Sequence, residues 1–120
     1  MTFPVIEQAV PVLRTRDAEA TLVWYARLGF VKEWEHRFEP GFPLFLSIIR
    51  GDLRLFLSEH HGDAVPGTVA YLRLRDVDAA AAAVGSKAET MEWGTREFQV
   101  HDPDGNRLRI GWPVSEVELS

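Results

Sequence analysis

The chain is predicted to be an α+β fold made of two βαβββ modules, and three features of its 120 residues predict it. Part of the first half is echoed in the second. Apolar–polar alternation recurs in short runs between turn residues, as half-buried strands require. Two stretches, each opened by an aspartate and containing alanine, read as helices.

The echo pairs Leu13-Arg14-Thr15-Arg16-Asp17-Ala18-Glu19-Ala20 with Leu72-Arg73-Leu74-Arg75-Asp76-Val77-Asp78-Ala79. In each copy the alternation of a strand ends at an aspartate, Asp17 or Asp76, read as the N-cap of the following helix. A weaker echo pairs Arg54-Leu55-Phe56-Leu57 with Arg107-Leu108-Arg109-Ile110. Both copies follow a turn signal, Gly51-Asp52 or Asp102-Pro103-Asp104-Gly105-Asn106.

The first helix is expected from about Asp17 to Leu28, with Ala18, Leu22, Tyr25 and Gly29 on one face, Trp24 beside that stripe, and Gly29 as its stop. The second, from about Asp76 to Val84, holds five consecutive alanines, which form helix readily but bring little bulk, so it must lie close to its sheet. Strands are expected at about Ala9–Arg14, Phe30–Arg37, Leu44–Arg50 and Leu53–Ser58. The second half offers Val69–Leu74, Ala88–Glu92, Thr95–His101 and Arg107–Trp112. Each half therefore reads strand–helix–strand–strand–strand and ends in a hairpin. Module one spans about 1–60 and module two about 67–113 of a single domain, joined by the loop 59–67.

Composition narrows the function classes. Hydrophobic residues make up 46% and charged residues 26%, as in an ordinary globule, and no apolar run approaches the roughly 20 residues that cross a bilayer. No signal peptide is expected at the start of the chain. The absence of cysteine removes disulfides, thiolate catalysis and sulfur-ligated metals, and fits a cytoplasmic protein. Net charge is −5, with arginines scattered along alternating strands, so nucleic acid is not an expected partner. The acidity suits a cationic ligand, and equally serves solubility.

The chain resembles the glyoxalase/bleomycin-resistance (vicinal oxygen chelate) superfamily, and within it the bleomycin-resistance branch. The matching words are Ala9-Val10-Pro11-Val12-Leu13 with Arg16-Asp17, and Trp24-Tyr25 leading to Arg27-Leu28-Gly29-Phe30. They continue with Leu55-Phe56-Leu57-Ser58, Trp93-Gly94 with Arg96-Glu97-Phe98, and Asp102-Pro103-Asp104-Gly105-Asn106. The resemblance implies a curved eight-stranded half-barrel sheet, in a homodimer whose N-terminal strand is often exchanged between subunits. A sheet this small cannot bury both faces alone.

Enzymes of the superfamily chelate a divalent metal through His, Gln or Glu at four strand positions. Transferred here, those positions fall at about Val10, Phe56, Val69 and Arg109, none of which donates a lone pair to a metal. A slip of one residue brings only Ala9, Pro11, Leu55, Leu57, Thr68, Ala70, Leu108 or Ile110. No metal and no cofactor are therefore expected at that site. The alternative is a metal-dependent glyoxalase-like lyase or dioxygenase with an unconventional set drawn from His36, His60, His61 and His101 with Glu35, Glu59 and Glu97. A metal-free isomerase or hydrolase with Glu97 or Glu59 as base is a third possibility.

A metal-free sheet can still bind. Bleomycin-type antibiotics are large and cationic with a flat aromatic tail, and suit an acidic, ring-lined groove. The expected ligand is a small molecule, aromatic and cationic, bound and sequestered without catalysis. The expected binding residues are Trp34, His36, Phe38, Phe42, Phe45, His60, Trp93, Gly94 and Phe98. Trp93-Gly94 resembles the Trp-Gly that borders the groove in resistance proteins. The stretch 35–43, rich in rings and turn formers, is longer than the matching hairpin of typical members and is read as a lid.

Overall fold

A computed structural model of the protein describes residues 6–114. The start of module one, and with it residues 1–5 of any exchanged N-terminal strand, lie outside the described residues. The first sheet contains β1 (Val12–Arg14), β2 (Val31–Arg37), β3 (Leu44–Arg50) and β4 (Leu53–Ser58), in the order β1-β4-β3-β2. The second contains β5 (Val69–Arg73), β6 (Glu89–Thr90), β7 (Thr95–His101) and β8 (Arg107–Pro113), in the order β5-β8-β7-β6. Helices α1 (Ala18–Ala26) and α2 (Val77–Ala83) connect the first two strands of each module. In both sheets the outer first strand runs parallel to the last strand and the remaining pairs are antiparallel. The two halves share one topology, and the eight strands ladder as two fours in an α+β fold.

Two strands are shorter than the alternation suggests. β1 begins at Val12 because Pro11 has no N–H for the ladder; its carbonyl still accepts from Phe56 N. β6 stops at Thr90 because a tight turn starts next, with Met91 N bonded to Thr95 O and Gly94 N to Met91 O. β1 pairs with β4 of its own chain.

The helix starts differ. Asp17 caps α1 as expected, accepting from Ala20 N at 3.3 Å, and Glu59 adds a second cap by accepting from Ala18 N. Asp76 does not cap α2. Its backbone is left-handed (φ 54), and the side chain makes no cap hydrogen bond. Aspartate tolerates that conformation better than most residues, and only its carbonyl joins the helix, accepting from Ala80 N.

The helices cover one face of each sheet. On that face Leu13, Leu46, Ile48, Leu55 and Leu57 pack with Tyr25 and Phe30, and Leu72, Leu108 and Ile110 pack with Ala80 and Ala81. Each fully buried Leu or Ile contributes about 1.5–3 kcal/mol of transfer free energy. On α1 the buried positions are Ala18, Thr21 and Tyr25, with Leu28 buried just beyond its end, while Leu22 and Trp24 pack only in part and Gly29 turns the chain at φ 89.

The turn 102–106 joins the modules. Asp102 accepts from Asp104 N and Asn106 N through one carboxylate oxygen, and from Tyr25 Oη at 2.7 Å and Asn106 Nδ2 through the other. Asn106 Nδ2 also donates to Arg14 O, and Asp104 accepts from Thr21 Oγ1 and Arg16 N. Burial, reinforced by Asp102, pushes the Tyr25 hydroxyl far above its usual range, so it remains a donor. Among the described residues no helix is long and apolar enough to cross a membrane.

Candidate ligand-binding site

Among the described residues each sheet has a face that neither helix covers, and strand alternation decides what it displays. In the first sheet β2 contains a bulge between Lys32 and Trp34. Both Glu33 and Trp34 then meet Ser47: Trp34 through the ladder, Glu33 by accepting from Ser47 Oγ at 2.8 Å. The extra residue moves Trp34 out of the core and onto the open face. There it stacks on Phe45 (centroids 6.0 Å, planes 20° apart) and meets Phe56 at 5.4 Å; Phe45 and Phe56 are 5.3 Å apart. Beside this trio Arg54 holds Glu33 through two hydrogen bonds of 2.7 and 2.6 Å, which keep the Glu33 carboxyl below its usual range. His36 lies opposite Phe45, exposed.

The open face of the second sheet centres on Glu97, which is 4% exposed. Its carboxylate accepts from Thr95 Oγ1 (2.7 Å), Tyr71 Oη (3.0 Å), Arg109 (3.0 Å) and Trp93 Nε1 (3.2 Å). Burial opposes the charge, but these four donors prevail and hold the carboxyl down to about 2. Gly111, paired with Glu97, leaves the room: a Cβ there would meet Tyr71 Oη and lie 2.7 Å from Glu97 Cγ. Arg109 also lies over the Tyr71 ring, its Cζ 5.4 Å from the centroid. A depression of about 520 Å³ adjoins the network, lined in part by Lys87, Met91, Trp93, Gln99, Arg107 and Arg109.

The residues expected to bind ligand separate into groups. Trp34, His36 and Phe45 share the first open face, and Trp93 and Gly94 stand at the turn beside the second. Phe38 and Phe42 meet each other at 5.9 Å in the β2–β3 loop, exposed by 73% and 45%. His60 is half-buried in the loop after β4, its backbone N–H bonded to Ser58 Oγ. Phe98 is a core residue, 3% exposed and paired with Ile110 on the helix side, so it borders the depression with almost no surface. Alternation between Glu97 and Phe98 has two solutions, and the buried donors around Glu97 select the one that sends the ring inward. The lining residues that the sequence does not mark as such are Phe56, which matches a family metal position, and Tyr71, Arg107 and Arg109. The one sequence signal for each is the alternation of its own strand: Arg54-Leu55-Phe56-Leu57, Val69-Ala70-Tyr71-Leu72 and Arg107-Leu108-Arg109-Ile110.

The four family metal positions do not fit an ion. Val10 precedes β1, Phe56 belongs to the ring trio, Val69 is half exposed opposite Arg107, and Arg109 brings a positive charge bonded to Glu97. Among the described residues no group of three or more His, Asp or Glu side chains is placed to hold a metal. Neither carboxylate considered as a base is suited to it. Glu97 is saturated with donors, and Glu59 is tied to the backbone N–H groups of Ala18 and Leu44.

The family model described as glyoxalase superfamily protein matches residues 2–116, and the chain belongs to that family. Among solved structures, the bleomycin resistance determinant encoded on transposon Tn5 is 27% identical with a TM-score of 0.71, covering 90% of this chain and 98% of its own. A bleomycin-binding protein complexed with bleomycin is 28% identical with a TM-score of 0.69, covering 89% and 98%. A glyoxalase/bleomycin resistance protein/dioxygenase superfamily member from Sphaerobacter thermophilus shares the fold at 22% identity and a TM-score of 0.67, covering 90% and 99%. No curated protein matches the chain.

Proposed function

We propose that the protein is a non-enzymatic binder that sequesters a small molecule bearing flat rings, of the bleomycin type, on the open faces of its sheets. The observation that carries this reading is the half-buried ring cluster of Trp34, Phe45 and Phe56 at a face where the described residues offer no metal-donor set. The solved relatives whose names refer to bleomycin support the same ligand class. Sequestration asks only for affinity, and a micromolar Kd corresponds to about 8 kcal/mol, within reach of a few buried rings. The cationic character of the ligand rests on the net charge of −5, since the depressions themselves carry arginines. A homodimer would cover the open faces, and the absence of cysteine suits a cytoplasmic setting.

Titration of the protein with bleomycin, followed by tryptophan fluorescence, tests this. Saturable quenching that weakens in Trp93→Ala is the expected result. Unchanged fluorescence at saturating drug would remove the ligand while leaving the fold untouched.

A further inference from the structure

The loop end of the first sheet holds a second feature, separate from the ring trio. Arg14 closes β1 and is 8% exposed, yet its guanidinium is bonded to a neutral partner, the carbonyl of Glu59. The carboxylate of that same residue is turned away, accepting from Ala18 N and Leu44 N. A buried charge normally rests against an opposite charge, because the desolvation of an ion is otherwise uncompensated. Around Arg14 stand two further arginines, Arg16 and Arg37, with the carboxylates of Glu59 and Asp104. Two depressions, of about 550 and 500 Å³, share Arg14, Arg16 and His61. Arg37 lines the first of them together with Phe42 and Pro43 from the β2–β3 loop. Asp104, which lines the second, is engaged by Arg16 and Thr21. A chain of net charge −5 has thus gathered three arginines where four loops meet; of the two lining carboxylates, Glu59 holds backbone N–H groups and Asp104 is paired with Arg16.

We propose that this loop end is an oxyanion site, taking a phosphate or carboxylate group between Arg14, Arg16 and Arg37, with His61 and the ring of Phe42 at its border. Guanidinium groups suit such an anion because each offers five N–H donors in a planar fork; Arg14 gives one of its own to the carbonyl of Glu59 and Arg16 gives its Nε–H to Asp104, which leaves donors on both for the anion. The site does not depend on the bleomycin reading: it lies at the strand ends, it selects the opposite charge, and either can fail alone. The anion can be free or part of an organic ligand, and Phe42 beside the arginines favours the second.

The test is calorimetric titration at low ionic strength with two probes, inorganic phosphate and phenyl phosphate, on the wild type, Arg37→Gln and Arg14→Met. The wild type is expected to bind phenyl phosphate more tightly than phosphate, Arg37→Gln to weaken both several-fold, and Arg14→Met to abolish binding. Equal binding of the two probes would assign the site to the free anion. With no anion present, Arg14→Met should melt at the same temperature as the wild type or a few degrees higher, since it removes a buried charge that lacks a counter-ion. If Arg14→Met folds poorly, Arg37→Gln decides together with the shift of the Arg14 Nε–H resonance on adding phenyl phosphate. Absence of binding by the wild type, binding unchanged in Arg37→Gln with no Arg14 shift, or a Tm drop in Arg14→Met that phenyl phosphate binding survives would overturn the proposal.

Discussion

Trp93 Nε1 donates to Glu97 Oε2 at 3.2 Å, so an indole that is 65% exposed is tethered to a carboxylate that is 4% exposed. An exposed ring would otherwise sample several rotamers and lose that freedom on binding. The tether sets the ring in place beforehand. Glu97→Gln keeps the shape but brings an amide N–H₂ among groups that donate. Greater mobility of Trp93 is expected, read as lower fluorescence anisotropy, together with weaker ligand quenching. Unchanged anisotropy would show that the ring is held by something else.

The same carboxylate makes stability depend on acid. Its folded pKa of about 2 lies below the ordinary glutamate value of 4.5, so its contribution is complete above about pH 4.5 and is lost as pH falls toward 2. The shift corresponds to at most about 3–4 kcal/mol. Urea midpoints measured at pH 6, 4 and 3 should fall over that window in the wild type and less steeply in Glu97→Gln.

Gly111→Ala is expected to destabilise by about 1–3 kcal/mol, because the new methyl collides with Tyr71 Oη and Glu97 Cγ and lies 3.1 Å from the carbonyl of Arg96. Tyr71→Phe removes one of the colliding atoms. Thermal melts of the double variant should recover part of the loss, a coupling that two independent sites would lack.

Tyr25→Phe removes one of the links from α1 to the turn 102–106 and leaves that from Thr21 to Asp104. Asp102 keeps Asn106 as a partner, so the cost should be about 1–2 kcal/mol, read from denaturant midpoints. A loss below the error of the measurement would mean that the modules are held together by other contacts.

How far the sequence disclosed this molecule depends on whether a signal was local. Asp17 ahead of an Ala-containing run, Gly29 after it, and the alternation of Leu44–Arg50 are local, and each formed where expected. Asp76 has the same residue type as Asp17 but a left-handed backbone, which its echo could not reveal. The bulge before Trp34 and the second cap from Glu59 depend on pairing across the sheet and on a residue far along the chain. At the site, rings were easy to nominate, but which face each one takes was decided by register. Phe45 turned outward and Phe98 inward, although both stand in alternating strands.

The proposed function is binding by rings without a metal. Calorimetric titration of metal-free bleomycin into chelator-treated protein addresses it directly, with Phe56→Ala alongside. The expected result is saturable binding in the micromolar range or tighter, weakened at least about tenfold, or 1.4 kcal/mol, in the variant. Binding that disappears on chelation and returns with an added divalent ion, or no heat at any drug concentration, would contradict it.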